Sequence, residues 1–340
     1  MAAGYKSATV NASDVPSTQS NFPAYIDLSR LGITTLAEAE SVRVYSDESQ
    51  TTELAREIVS AEEMWVKIPS LTSTFEIFVE WDGTRSDYAT SATYGAEAVW
   101  SDYDYVSHDG GSNDSTANGY TTTANGGVTS GDSTGKIGDS TAYDGNGDYF
   151  TIDSLEYDSA STLTWQAWVK PTYATPASNN ESIIATKGSG PNGFVSQLRT
   201  SGVVSVFYYE EPSGSTVGNT EGGSFSDGTW ALFHITLDTG GAGLKHYVNA
   251  SNVASDATAT SDINNGREVW IGATYAQTPA RDWTGEMDEI HLRSSALSAD
   301  WITTEHNNQS NESTFWGTWS DATPPVGGVT APQFKGFAGL

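Results

Sequence analysis

Apolar and polar residues alternate along this chain in short runs separated by turn residues, and the runs fall into two groups. The first holds Lys6-Ser-Ala-Thr-Val10, Ala24-Tyr-Ile-Asp-Leu28, Val42-Arg-Val-Tyr45, Met64-Trp-Val-Lys-Ile68 and Phe75-Glu-Ile-Phe-Val-Glu-Trp81. A period of two sends successive side chains to opposite faces, so each run predicts a half-buried strand. Asp82-Gly83 reads as a turn. Thr35 reads as the cap of one short helical turn within residues 31–40. In the second group Val203-Val-Ser-Val-Phe-Tyr-Tyr209 and Trp230-Ala-Leu-Phe-His-Ile-Thr-Leu237 are the strongest strands. Ser213-Gly-Ser, Gly240-Gly-Ala-Gly and Asn264-Asn-Gly punctuate them.

Trp283 to Arg293 closes the second group. Its apolar positions Met287, Ile290 and Leu292 do not share one parity, so a regular strand cannot bury all three. A bulge near Asp288-Glu289 brings them inward together, and bulges often re-aim a side chain at a site. Ser298 then offers a helix cap. Residues 109–136 are polar and almost without apolar anchors, a composition that in isolation reads as disorder. Beyond Trp319 the tail has no strand pattern. Val329, Phe334, Phe337 and Leu340 on its Gly/Pro backbone suggest a docking arm.

These features divide the chain into residues 1–85, a first β-sandwich; 86–96, a connector; 97–316, a second β domain that retains the 109–136 loop; and 317–340, a Gly/Pro-rich arm. The fold class is all-β, two tandem sandwiches.

The second domain resembles a known family. "Gly-x-Met-Asp-Glu-Ile-x-Leu" at 285–292 followed by Ala296-Leu-Ser-Ala299 is similar to the closing strand of LamG-like, concanavalin A-like jelly rolls. Tyr143-Asp-Gly-Asn-Gly-Asp-Tyr-Phe150 and Thr162-Leu-Thr-Trp-Gln-Ala-Trp-Val-Lys-Pro171 resemble earlier strands. Ile183-Ile-Ala-Thr-Lys-Gly188, Asp227-Gly-Thr-Trp230, Leu244-Lys-His-Tyr-Val-Asn249 and Ile271-Gly272 follow in order. The first unit resembles a small, uncharacterised β-sandwich that precedes such domains in prokaryotic surface and phage proteins. "Asn-Phe-Pro-Ala" at 21–24 and the Val42 strand carry that likeness.

Composition narrows the function. A net charge of −28 on 340 residues, with 15 basic side chains, opposes binding to phosphate backbones. There is no cysteine, which excludes disulfides and thiolate metal sites. No run approaches the roughly 20 apolar residues that span a bilayer, so no membrane insertion is expected. The first residues carry no apolar signal segment, so either none existed or it was removed. Asn-x-Ser/Thr sequons at Asn11, Asn113, Asn180, Asn249, Asn308 and Asn311 are largely chance in so Asn- and Ser-rich a chain.

Three chemistries are weighed on these residues. Asp144, Asn146 and Asp148, on a Gly-flexed loop, supply the oxygen ligands a hard cation takes. The resemblance implies that Asp288 on the neighbouring closing strand joins them around a structural Ca²⁺. The alternative is a polar turn whose aspartates cap their own backbone. Relatives that cleave polysaccharides carry Glu-x-Asp-x-x-Glu on one strand, with the carboxylates about 5 to 5.5 Å apart. Here Glu286 and Asp288 are followed by His291, so the second carboxylate is missing and no enzyme is expected. The five histidines lack His-x-x-x-His spacing, which argues against zinc. His234 and His246 read as satisfied strand residues. Aromatic side chains that sugars could stack on are Tyr208, Tyr209, Trp270, Tyr275 and Trp283. Trp165, Trp168 and Trp230 are assigned to the core. The expectation is a non-enzymatic recognition protein for a glycan or other surface ligand, at a virion surface or extracellular. It would serve as a phage or archaeal-virus fibre, decoration or tail component. The alternative is an assembly protein that meets other virion or surface subunits through its arm.

Overall fold

The computed structural model describes residues 3–172, 180–186, 193–199, 202–210, 215–263, 267–274 and 281–324. Four antiparallel sheets build two sandwiches. In the first, a four-stranded sheet runs Ser320–Asp321, Gly4–Thr9, Glu76–Trp81, Arg43–Tyr45. It faces a three-stranded sheet of Gln19–Asp27, Glu63–Leu71 and Arg56–Ile58. Between them lie Phe22, Ile26, Val44, Val66, Ile68 and Val79. The expected Thr35 cap is present: its side chain accepts from the Glu38 amide. In return Glu38 accepts from the Thr34 amide, a reciprocal arrangement that fixes a very short helix.

The second sandwich has an eight-stranded and a seven-stranded sheet. At the centre of the larger sheet Thr162–Pro171 pairs with Ala231–Asp238 on one side and Thr284–Arg293 on the other. The smaller sheet runs Ser215–Ser224, Val203–Glu210, Gly193–Arg199, Asn180–Ala185, Glu268–Ile271, Tyr149–Glu156, Thr122–Asn125. Leu163, Trp165, Phe233 and Ile290 from one layer meet Ile152, Phe194, Val206 and Ile271 from the other.

The closing strand carries the bulge expected of it. Gln166 pairs with His291 and Trp168 with Asp288, so Glu289 and Ile290 together oppose Ala167. Glu289 takes φ +48, a left-handed conformation unusual for a side chain of its size. As a result Met287, Ile290 and Leu292 are all sealed in the core. Gly285 lies within this strand at φ +132, where a Cβ would sit 2.2 Å from the Lys170 carbonyl oxygen. The outer edge of the strand is shared: Asp139–Asp144 pairs with residues 284–287 and Tyr105–Ser107 with residues 290–292. Asp288 and Glu289 fall in the gap.

The polar 109–136 loop is held by carboxylates in place of apolar anchors. Asp109 accepts from the Ser112 amide and the Ser107 hydroxyl, and Asp114 from the Thr116 and Tyr120 amides.

Packing divides the chain differently from the expected boundary at 316. Ser298 caps the helix Ala299–Ser310, as anticipated. That helix and Glu312–Phe315 then lay Trp301, Phe315, Trp316 and Trp319 in the core of the first sandwich. Asn308 donates to the Tyr25 carbonyl and accepts from the Tyr25 amide, capping an edge of the three-stranded sheet. Residues 320–321 add a strand beside Gly4–Thr9. The start of the expected arm therefore docks on its own chain, while Val329, Phe334, Phe337 and Leu340 lie outside the described residues.

Candidate functional site

The loop proposed for calcium holds its carboxylates on its own backbone amides. Asp144 accepts from the Asn146 amide at 2.7 Å, Asp148 from the Asp144 amide at 3.1 Å, and Asp282 from the Gly147 amide at 2.9 Å. Asp144 pairs with Thr284, four residues before Asp288, so the Asp288 carboxylate is elsewhere along the strand. Asp282, absent from the expected set, lies at the loop instead. Burial and then the neighbouring aspartates raise the pKa of Asp282. Asp148 is raised too, chiefly by burial, with Asp144 adding to it. The donor oxygens of Asp144, Asp148 and Asp282 do not draw together within 4.8 Å of one another. The alternative has the support of the hydrogen bonds, since each of the three accepts from a loop amide.

Asp288 is fully buried and accepts from the Lys136 and Ile137 amides at 2.8 and 2.9 Å. Glu286 points to the same side and binds Lys170 at 2.5 Å. The frame of a retaining glycosidase is accordingly filled by a lysine-paired and an amide-capped carboxylate.

The aromatic candidates separate by face. Pairing aligns Thr123, Thr151, Trp270, Ala185, Val195, Phe207 and Asn219 as one cross-strand row. Opposed residues share a face, and this row is on the side away from the core. Trp270 stacks on Tyr149 at 4.7 Å with 7° between the rings, and Tyr209 meets Phe207 edge-on at 5.4 Å. Tyr208 has the opposite parity. It is fully buried and donates to the Ser261 carbonyl. Trp283 is likewise core. Neither can offer a ring to a ligand. Tyr275 lies outside the described residues. Trp165 and Trp168 are buried as expected, but Trp230 is half-buried with the Lys170 ammonium 5.7 Å from its ring.

On the outer face, near the edge formed by Val203–Glu210 and Ser215–Ser224, is a cavity of about 310 Å³. Asn180, Gln197, Arg199, Phe207, Tyr209 and Arg281 are among its lining residues. Amides, two guanidiniums and two aromatic rings thus converge in a chain with few cations. Arg199 is paired with Glu221 at 3.1 Å, and Arg281 has no carboxylate partner among the described residues. Of this group only Tyr209 was expected. The parity of the Val203 run marks Phe207 as its companion, but nothing local indicates that Arg199 and Arg281 meet.

A second polar assembly is internal. Glu57, His108, Glu289, His291, Glu305 and His234 form an unbroken line of carboxylates and imidazoles between the sandwiches. Burial opposes the charge on His108, yet Glu289 and Glu57 outweigh it and hold its pKa well above the ordinary range. Glu305 is also opposed by burial, but His234 and His291 draw it down to about 2. His234 is buried as expected, with Nε2 on Glu305, and His246 is satisfied by Thr220 and the Gly222 carbonyl.

A sandwich of this topology, with a closing strand beside its opening strand, is a concanavalin A-like jelly roll. Residues 144–303 match the family described as the concanavalin A-like lectin/glucanases superfamily, and this part of the chain is a domain of that kind. Among solved structures it is similar to the receptor binding domain of botulinum neurotoxin C/D mosaic serotype, with 13% identity and a TM-score of 0.50. That match covers 62% of this chain and 52% of the other. The binding domain of Paraclostridial Mosquitocidal Protein 1 gives 12% identity and a TM-score of 0.48, over 60% and 52% of the two chains. The chain thus spans about half the length of these structures, and the 13% identity of the first supports the fold alone. No protein of curated function matches the sequence. Among the described residues, no helix is long and apolar enough to cross a membrane.

Proposed function

We propose that this chain is a non-enzymatic recognition protein that binds a surface carbohydrate on the outer face of its seven-stranded sheet. The observation that carries the reading is the cavity where Phe207 and Tyr209 stand beside Arg199 and Arg281. Aromatic rings accept the CH faces of a sugar, amides orient hydroxyls, and a guanidinium holds a carboxylate through paired hydrogen bonds. The ligand class is therefore an acidic glycan, one bearing a uronate or other sugar carboxylate. The solved binding domains of similar fold are compatible with this reading. So is the absence of a catalytic carboxylate pair around Glu286. The setting we infer is a virion or cell surface, where the strongly acidic, cysteine-free composition favours solubility. Any calcium at Asp144, Asp148 and Asp282 would brace the neighbouring loop. A glycan array tests the reading: acidic glycans should be retained over neutral ones, and Tyr209→Ala should weaken retention. An array without saturable binding, or turnover of a polysaccharide, would overturn it.

A further inference from the structure

We propose that the junction of the two sandwiches is a binding site for one divalent transition-metal ion of the zinc class. Its ligands are His108 Nδ1, His291 Nε2, and the carboxylates of Glu289 and Glu63. Glu289 Oε2 lies 2.9 Å from His108 Nδ1 and 2.8 Å from His291 Nε2. Glu63 Oε1 lies 3.5 Å from the same His108 nitrogen. The His108, Glu289 and His291 donor atoms all fall within 4.8 Å of one another. Two imidazole nitrogens and two carboxylates suit zinc and its neighbours, whereas calcium and magnesium prefer oxygen alone.

The surroundings are those of a metal ligand set. A ligating histidine is usually oriented by a carboxylate on its other nitrogen. His108 Nε2 meets Glu57 at 3.1 Å, and His291 Nδ1 faces Glu305 at 3.9 Å with no hydrogen-bond partner. Glu57 is held by Ser115 and by the Trp100 indole, Glu305 by His234. Trp65 donates to Glu63 and packs on both histidines, as does Trp100.

Glu57, Glu63, Asp288, Glu289 and Glu305 crowd, sealed or nearly sealed from water, around His108, His234 and His291. Closed by two indoles, the site would be structural, tying Glu63 of the first sandwich to the bulged strand of the second.

The test is metal analysis of the full chain, purified without metal affinity resin, stripped with chelator and reloaded with Zn²⁺ or Co²⁺. Wild type should retain about one equivalent through gel filtration, melt higher than the stripped form, and give visible Co²⁺ absorption. His108→Gln and His291→Gln should each abolish retention, and Asp282→Asn should not. If a histidine variant does not fold, the wild-type Co²⁺ spectrum decides alone. Folded wild type that retains no metal, or retention surviving both histidine substitutions, would overturn the proposal and leave a proton-sharing network.

Discussion

Replacing Trp316 with alanine tests whether the end of the chain completes the first sandwich. The indole is fully buried, lies 5.2 Å from the Phe315 ring and 6.2 Å from Trp319, and donates to the Tyr25 carbonyl. Removing a buried tryptophan costs about 3–5 kcal/mol through lost transfer energy and the cavity left behind. The hydrogen bond adds little, because Asn308 also donates to the Tyr25 carbonyl. Against a total of about 5–15 kcal/mol such a loss is large. Hydrogen exchange followed by mass spectrometry locates it. Protection should fall first in Gln19–Asp27 and Glu63–Leu71, which share the Trp316 core, and persist in Thr162–Pro171, which does not. A destabilisation below about 1 kcal/mol, or an equal loss in both sandwiches, would refute the assignment of this helix to the first core.

Other perturbations have defined outcomes. Burial lifts Glu181 from its ordinary 4.5 to about 7, despite hydrogen bonds from Thr284. A carboxyl whose folded pKa is raised favours the folded state at low pH, and that contribution is lost as pH rises from 4.5 through 7. Glu181→Gln should therefore stabilise more at pH 8 than at pH 5, by up to about 3 kcal/mol, in paired denaturant melts. Asp288→Ala orphans the Lys136 and Ile137 amides and should cost about 1–3 kcal/mol, while Asp288→Asn keeps an acceptor and should cost less. If Asp144, Asp148 and Asp282 hold calcium, adding Ca²⁺ to chelator-treated protein should raise the melting temperature in wild type and not in Asp282→Asn.

Much of the architecture was legible because period-two alternation and turn chemistry act locally. The bulge at Glu289 could be anticipated, since Met287, Ile290 and Leu292 cannot otherwise share a face. What failed depends on register and on long-range contact. Asp288 looked like a partner of the Asp144 loop because the strands are neighbours, yet pairing offsets them by four residues. Trp316 reads as the end of the jelly roll and Trp319 as part of the arm, but both fill the other core. The junction cluster has no overall spacing signature, as Glu63, His108 and the Glu289–His291 pair come from three separate strands or their ends. Glu289-x-His291, two polar residues inside an apolar strand, was its one local trace.

The recognition claim is tested most directly by titrating an oligosaccharide of uronic acids into wild type and into Arg281→Ala. The account predicts saturable binding for wild type, weakened about tenfold or more by the loss of one charge-assisted contact. It also predicts little binding of the neutral analogue by either protein. Equal affinity of the two proteins for the acidic sugar would contradict it.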